Sequence, residues 1–149
     1  MKTAKEMLEH VAGFAEKLFN DTGEIHPMWI LESATEIIPI IAPFEGDDSK
    51  DMAVVFVRHK AKEIKADVSG FMAEAWMVSM DKDEKLNRMP SQHEDRREII
   101  QVYAEDRSGA KLMGMYYILR PEFGKAKLSP LKMMDGDATG RFTSILENA

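Results

Sequence analysis

Residues able to do chemistry crowd into one stretch, Pro90-Ser91-Gln92-His93-Glu94-Asp95-Arg96-Arg97-Glu98. From His93 to Glu98, six positions carry one imidazole, three carboxylates and two guanidiniums. His93 can serve as a general base or metal ligand, and Arg96 and Arg97 can grip a carboxylate or phosphate bidentately. No second histidine lies within a few residues, so the spacing of a metal site is absent. The ordinary alternative is a solvated connection whose charges pair locally. Glu74 interrupts an otherwise apolar segment and shares strand parity with Met72 and Trp76. On a buried face its pKa rises and it becomes a general acid or base; otherwise it pairs with a cation or faces water. His26 precedes Pro27, which holds it extended. Beside Trp29 it can line a pocket, or it is a half-buried structural histidine at a sheet edge. A small hydrolase or lyase would gather His26, Glu74, His93, Asp95, Arg96 and Arg97 around one pocket.

Asp135-Gly136-Asp137-Ala138-Thr139-Gly140 has the DxDxT form of haloacid-dehalogenase-type phosphotransferases. Their chemistry also needs a downstream lysine and acidic magnesium ligands, and the nine residues after Gly140 contain no lysine. Asp135, Asp137 and Thr139 also resemble the start of a calcium loop, but its closing acid would fall on Leu146. A polar turn is the reading preferred here. Glu6 and His10 stand four apart on a helix, too few ligands for a metal. His59 shares a helical face with Met52 and Phe56. Gly-rich phosphate loops, nucleophile elbows and zincin motifs are missing, and no cofactor is expected.

The 149 residues hold 20 basic and 26 acidic side chains and no cysteine, which excludes disulfides, thiolate metal sites and thiol catalysis. The acidity lies in residues 1–50, with 10 acids against 4 bases. Phosphate backbones are repelled by such a balance, so nucleic acid is an improbable partner. Its only candidate surface is Lys111, Arg120, Lys125, Lys127 and Lys132, near Tyr116, Tyr117 and Phe123. No apolar run approaches the roughly 20 residues of a membrane span. With a charged start, MKTAKEMLEH, this leads us to expect a cytoplasmic protein with no membrane partner.

The elements that must position these residues follow from periodicity. Ala4, Met7, Leu8, Val11, Phe14, Ala15 and Leu18 form one stripe and predict a helix over 3–19, stopped by Asn20 to Gly23. Segments 24–31 and 35–42 read as strands that are at an edge or irregular, because Pro27, Pro39 and Pro43 cannot donate to a ladder. A helix over 49–65 is expected, although Met52 to Val57 would also suit a strand. Residues 67–80 read as a central strand with Met72, Trp76, Val78 and Met80 on one face and Phe71, Ala73, Ala75 and Met77 on the other. Residues 97–106 and 110–120 read as a hairpin, followed by a strand near 126–133 and a closing helical turn within 141–147.

The order α-β-β-α-β-β-β-(β) implies a single α+β domain over 1–149, an antiparallel sheet of five to six strands with both helices on one face. It is similar to profilin-like and roadblock-like modules, an analogy that carries no activity. Glu74-Ala75-Trp76-Met77, Pro90-Ser91 through Arg96-Arg97-Glu98, Ile118 to Pro121, and Gly140-Arg141-Phe142 resemble segments of small uncharacterised proteins of bacteria and their phages. That resemblance spans residues 74–142 and implies no function. Helices on one face would leave the other apolar face of the sheet for a partner. Trp76, Met113, Met115 and Tyr117, in a chain with 12 methionines, are the expected partner-binding residues. The expected role is therefore a protein-interaction module acting as a homo-oligomer, with an enzyme as the alternative.

Overall fold

The computed structural model describes residues 3–42, 47–77, 97–134 and 144–146. Helix α1 runs over Ala4–Thr22. Thr3 caps it reciprocally, accepting from the Glu6 N–H while the Glu6 side chain accepts from the Thr3 N–H. Gly23 ends it in the left-handed region at φ 81°, where a Cβ would be penalised. The chain then forms β1 (Met28–Glu32) and β2 (Ile37–Ile41), crosses through α2 (Asp47–Ile64), and continues as β3 (Val68–Met77), β4 (Arg97–Asp106) and β5 (Lys111–Leu119). Two short strands follow, β6 (Lys127–Leu128) and β7 (Lys132–Met133).

All described pairings are antiparallel, in the order β2-β1-β3-β4-β5-β6, with β7 also on β5. The α+β class, the edge position of β2, the 97–120 hairpin and the helical state of the 49–65 segment agree with the sequence reading, whereas β1, also expected at an edge, lies between β2 and β3. Seven strands stand where five to six were expected, because the 126–133 segment breaks at Ser129-Pro130. Pro130 has no N–H to donate, and the Ser129 hydroxyl takes the Tyr117 N–H in place of a ladder bond.

Pro39 sits in the middle of edge strand β2, opposite Ile30. Ser33 donates to the Glu36 carbonyl and Ala42 to the Pro27 carbonyl, which fixes the alternation of bonded pairs. By that alternation the backbone polar groups of position 39 point away from β1. The missing donor thus weakens only the free edge, which discourages a further strand.

The helices lie on opposite faces, which corrects the expected placement on one face. Met28, Ile30, Val68, Met72, Ile100, Val102 and Tyr116 form a core with α1 through Met7, Leu8, Val11, Ala15 and Phe19. Trp29, Leu31, Phe71, Ala73 and Tyr103 form the other core with Val54, Val57 and Ala61 of α2 and with Ile145 and Leu146. The physical reason is in β1 and β3: successive side chains on both strands are apolar, so both faces need a cover. Gly70 lets α1 approach closely; a Cβ there would lie 2.4 Å from Val11 Cγ2. On α1 itself, Ala12 and Phe19 are buried, whereas Phe14, expected inside, is 41% exposed.

Candidate functional site

The even positions of β3, β4 and β5 face α1. This helix runs from Asp106, whose Oδ2 accepts the Ala4 N–H at 2.8 Å, toward Arg120, which shares a cavity with Phe19 to Gly23. Glu74, Trp76, Glu98, Ile118 and Arg120 all have the parity of that face and gather near the helix C-terminus. Glu74, Trp76, Glu98 and Ile118 line a small cavity of about 240 Å³. Arg120 donates to both Glu98 carboxylate oxygens, through Nε and Nη2, as a fork-to-fork pair.

Glu74 Oε1 accepts the Ile25 N–H at 3.1 Å and so anchors the loop that leads α1 into β1. Burial pushes its carboxyl above the ordinary range, against the lowering effects of the Ile25 N–H and the Arg120 charge; Glu24 and Glu98 add to the rise. The neighbouring His26 is well exposed, and its Nε2 lies 3.5 Å from Glu24 Oε1. Arg97, by contrast, has odd parity and stacks its guanidinium 3.9 Å from the centroid of the Tyr117 ring on the opposite face. The structure therefore brings Glu74 and the His26 loop together and separates Arg97 from both. His93, Asp95, Arg96, Asp135, Asp137 and Thr139 fall outside the described residues. Among the described residues, the cavity lining carries no hydroxyl or thiol nucleophile, and its carboxylates hold the backbone and a guanidinium. Among the described residues, no three His, Asp or Glu side chains could hold a metal ion together.

The expected partner-binding residues do not form one surface. Trp76 faces the α1 side and is 41% exposed, but Met113, Met115 and Tyr117 have the opposite parity. Met115 is buried by its own chain, and the partly buried Met113 accepts from Gln101 Nε2 through its sulfur. The basic stretch is likewise divided. Lys111 begins β5 and donates to Ser144, whereas Arg120 lies just past the other end of the strand. The nine-residue strand sets them about 30 Å apart.

The face that joins His59 to Met52 and Phe56, named in the sequence but not assigned to a partner, is an exposed surface on α2. Its inward positions Val54, Val57 and Ala61 are buried, yet Met52 is 73%, Val55 66% and Phe56 56% exposed. With Asp51 and His59 they line an open, mainly apolar depression of about 500 Å³. The signal was present: positions 52, 55, 56 and 59 follow helical spacing, and six consecutive apolar residues cannot all point inward on one helix. Asp48, Asp51, Val55, Arg58 and Lys62 recur at intervals of three and four along one flank of this stripe, acids before bases.

No family model matches the chain, and no curated protein or solved structure matches it either. No helix among the described residues is long and apolar enough to cross a membrane.

Proposed function

We propose that this protein is a non-enzymatic interaction module that self-associates through the outward stripe of α2. The observation that carries this reading is the exposure of Met52, Val55 and Phe56 on a helix whose other apolar face already fills a core. An uncovered sheet face no longer supplies the motive, because α2 lies over it. The motive is now the outer side of that helix, where adjacent large apolar side chains form a contiguous patch.

A second copy is the occupant favoured by charge. About a two-fold axis between Val55 and Phe56, an antiparallel α2 pair sets Met52 of each copy near His59 of the other. The Asp48 and Asp51 end of one flank then meets the Arg58 and Lys62 end of the same flank in the second copy. The helix dipoles also oppose, which favours this orientation. Lys60 and Glu63, 3.5 Å apart, already satisfy each other within one copy. Sedimentation equilibrium of the chain and of Phe56→Asp tests the proposal: concentration-dependent dimers that the substitution abolishes support it, and a strict monomer at high micromolar concentration refutes it.

A further inference from the structure

Residues 144–146 are held as a docked peptide is held. Ile145 and Leu146 are buried in the core of Trp29, Leu31, Phe71 and Tyr103. Side chains, rather than a strand ladder, bind the backbone around these two anchors. The Ile145 N–H donates to Glu105 Oε1 at 2.6 Å and the Ser144 N–H to the Tyr103 hydroxyl at 3.3 Å. Arg107 Nη1 donates to the Leu146 carbonyl at 3.4 Å, and Lys111 Nζ donates to Ser144 Oγ at 2.8 Å. An acid thus meets an N–H and an arginine meets the following carbonyl, which sets the direction of the segment. Ser144 is in the left-handed region at φ 60°. A non-glycine residue keeps that conformation where its surroundings hold it.

We infer that this end of the sheet is a peptide-binding groove for a Ser-Ile-Leu segment. The chain's own residues 144–146 are its resident occupant, and the same segment of a second copy is its exchange partner. Tyr103, Glu105, Arg107 and Lys111 lie on β4, its hairpin turn and β5, which pair in register with each other and not with the segment. Exchange of an identical segment replaces every contact with its equal, a low-cost route to association. The groove is separate from the outward stripe of α2, and binding of a peptide reports on the groove without reporting on the α2 contact.

The test uses the full chain carrying Ile145→Asp and Leu146→Asp, which vacates the groove, and a fluorescent synthetic peptide of residues 141–149. Saturable binding is expected. The wild-type chain, whose own segment competes, binds the peptide about tenfold or more weakly, and so does the double variant when the peptide itself carries Ile145→Asp. Absence of binding to a double variant that keeps its far-UV circular dichroism overturns the inference, as does equal binding by wild type and variant. If the double variant loses its fold, hydrogen exchange of the wild type decides. Ser144 and Ile145 amides that exchange by local opening, faster than those of Ile100 and Val102, support a seated segment. Exchange at the same rate as Ile100 and Val102 overturns it.

Discussion

Phe56→Asp probes the proposed interface with little effect on the monomer. The ring is 56% exposed, and its neighbours Met52 and Val55 are 73% and 66% exposed. Full burial of such side chains is worth about 1.5–3 kcal/mol each, so roughly 1–2 kcal/mol per residue remains to be gained. Three residues from each of two copies then supply about 6–12 kcal/mol, set against an association cost of about 4–15 kcal/mol. Flanking pairs between Asp51 and Lys62 of the other copy add less than about 1 kcal/mol each. The largest surplus of gain over cost, about 8 kcal/mol, corresponds to a Kd near 1 µM, so the dimer belongs to the weak, micromolar to millimolar class. Substitution in both copies removes about 2–4 kcal/mol and sets two carboxylates beside the axis, weakening association about 30- to 1000-fold. An exposed site changes folding stability by only about 0.5 kcal/mol, so circular dichroism and Tm should stay near wild type. The assay is sedimentation equilibrium from about 1 µM to 1 mM, spanning the expected Kd. Charge reversal checks the orientation: Asp51→Lys weakens the dimer, and adding Lys62→Asp restores it. A wild-type chain that is monomeric throughout, or a Phe56→Asp chain that associates like wild type, refutes the reasoning.

Three other perturbations test the fold around the sites. Gly70→Ala brings a methyl within 2.4 Å of Val11 Cγ2 and should cost about 1–3 kcal/mol in urea titration; combined with Val11→Ala, the loss should be smaller than the sum of the two single losses. Asp106→Ala removes the acceptor of the Ala4 N–H, at about 1–2 kcal/mol near neutral pH. Desolvation raises the Asp106 pKa, but bonds from Ser108, Ala4 and Ala110 together bring it below 3.8, so its ionised form stabilises the fold above that value. The stability gap between wild type and Asp106→Ala should therefore close as acidification passes below pH 3.8 through the depressed pKa. Glu74→Gln keeps an acceptor for Ile25. Because burial raises the wild-type carboxyl above 4.5, ionisation disfavours the fold, and the wild-type Tm should fall relative to the variant as pH rises through and above 4.5. A Tm difference independent of pH would contradict that reading.

Local patterns were legible where one periodicity ruled. The α1 stripe apart from Phe14, the β4–β5 hairpin and the parity that puts Glu74 with Met72 and Trp76 stand as the sequence reads. The Thr3 to Glu6 capping box, which the sequence reading did not name, is just as local a feature. Phe14 was misplaced because it borders the stripe, and periodicity alone does not say which border residue the sheet covers; Phe19, at the far end, is the one enclosed. Parity also separates Trp76 from Met113, Met115 and Tyr117, but only once the register joining Glu98 to Trp76 and Ile99 to Tyr117 is known.

Composition, spacing and alternation determined by themselves that this is an α+β chain with an antiparallel sheet and a proline-marked edge. Such preferences act between near neighbours, through backbone sterics and the turn of a helix or strand. Tertiary structure alone decided that α2 covers the face opposite α1. It also decided that Arg97 points away from Glu74, and that Ser144 to Leu146 return to Tyr103, Glu105, Arg107 and Lys111. These are meetings of residues dozens of positions apart. They depend on which covered apolar surfaces can be closed at once, a condition that the packed whole satisfies and that no short window contains.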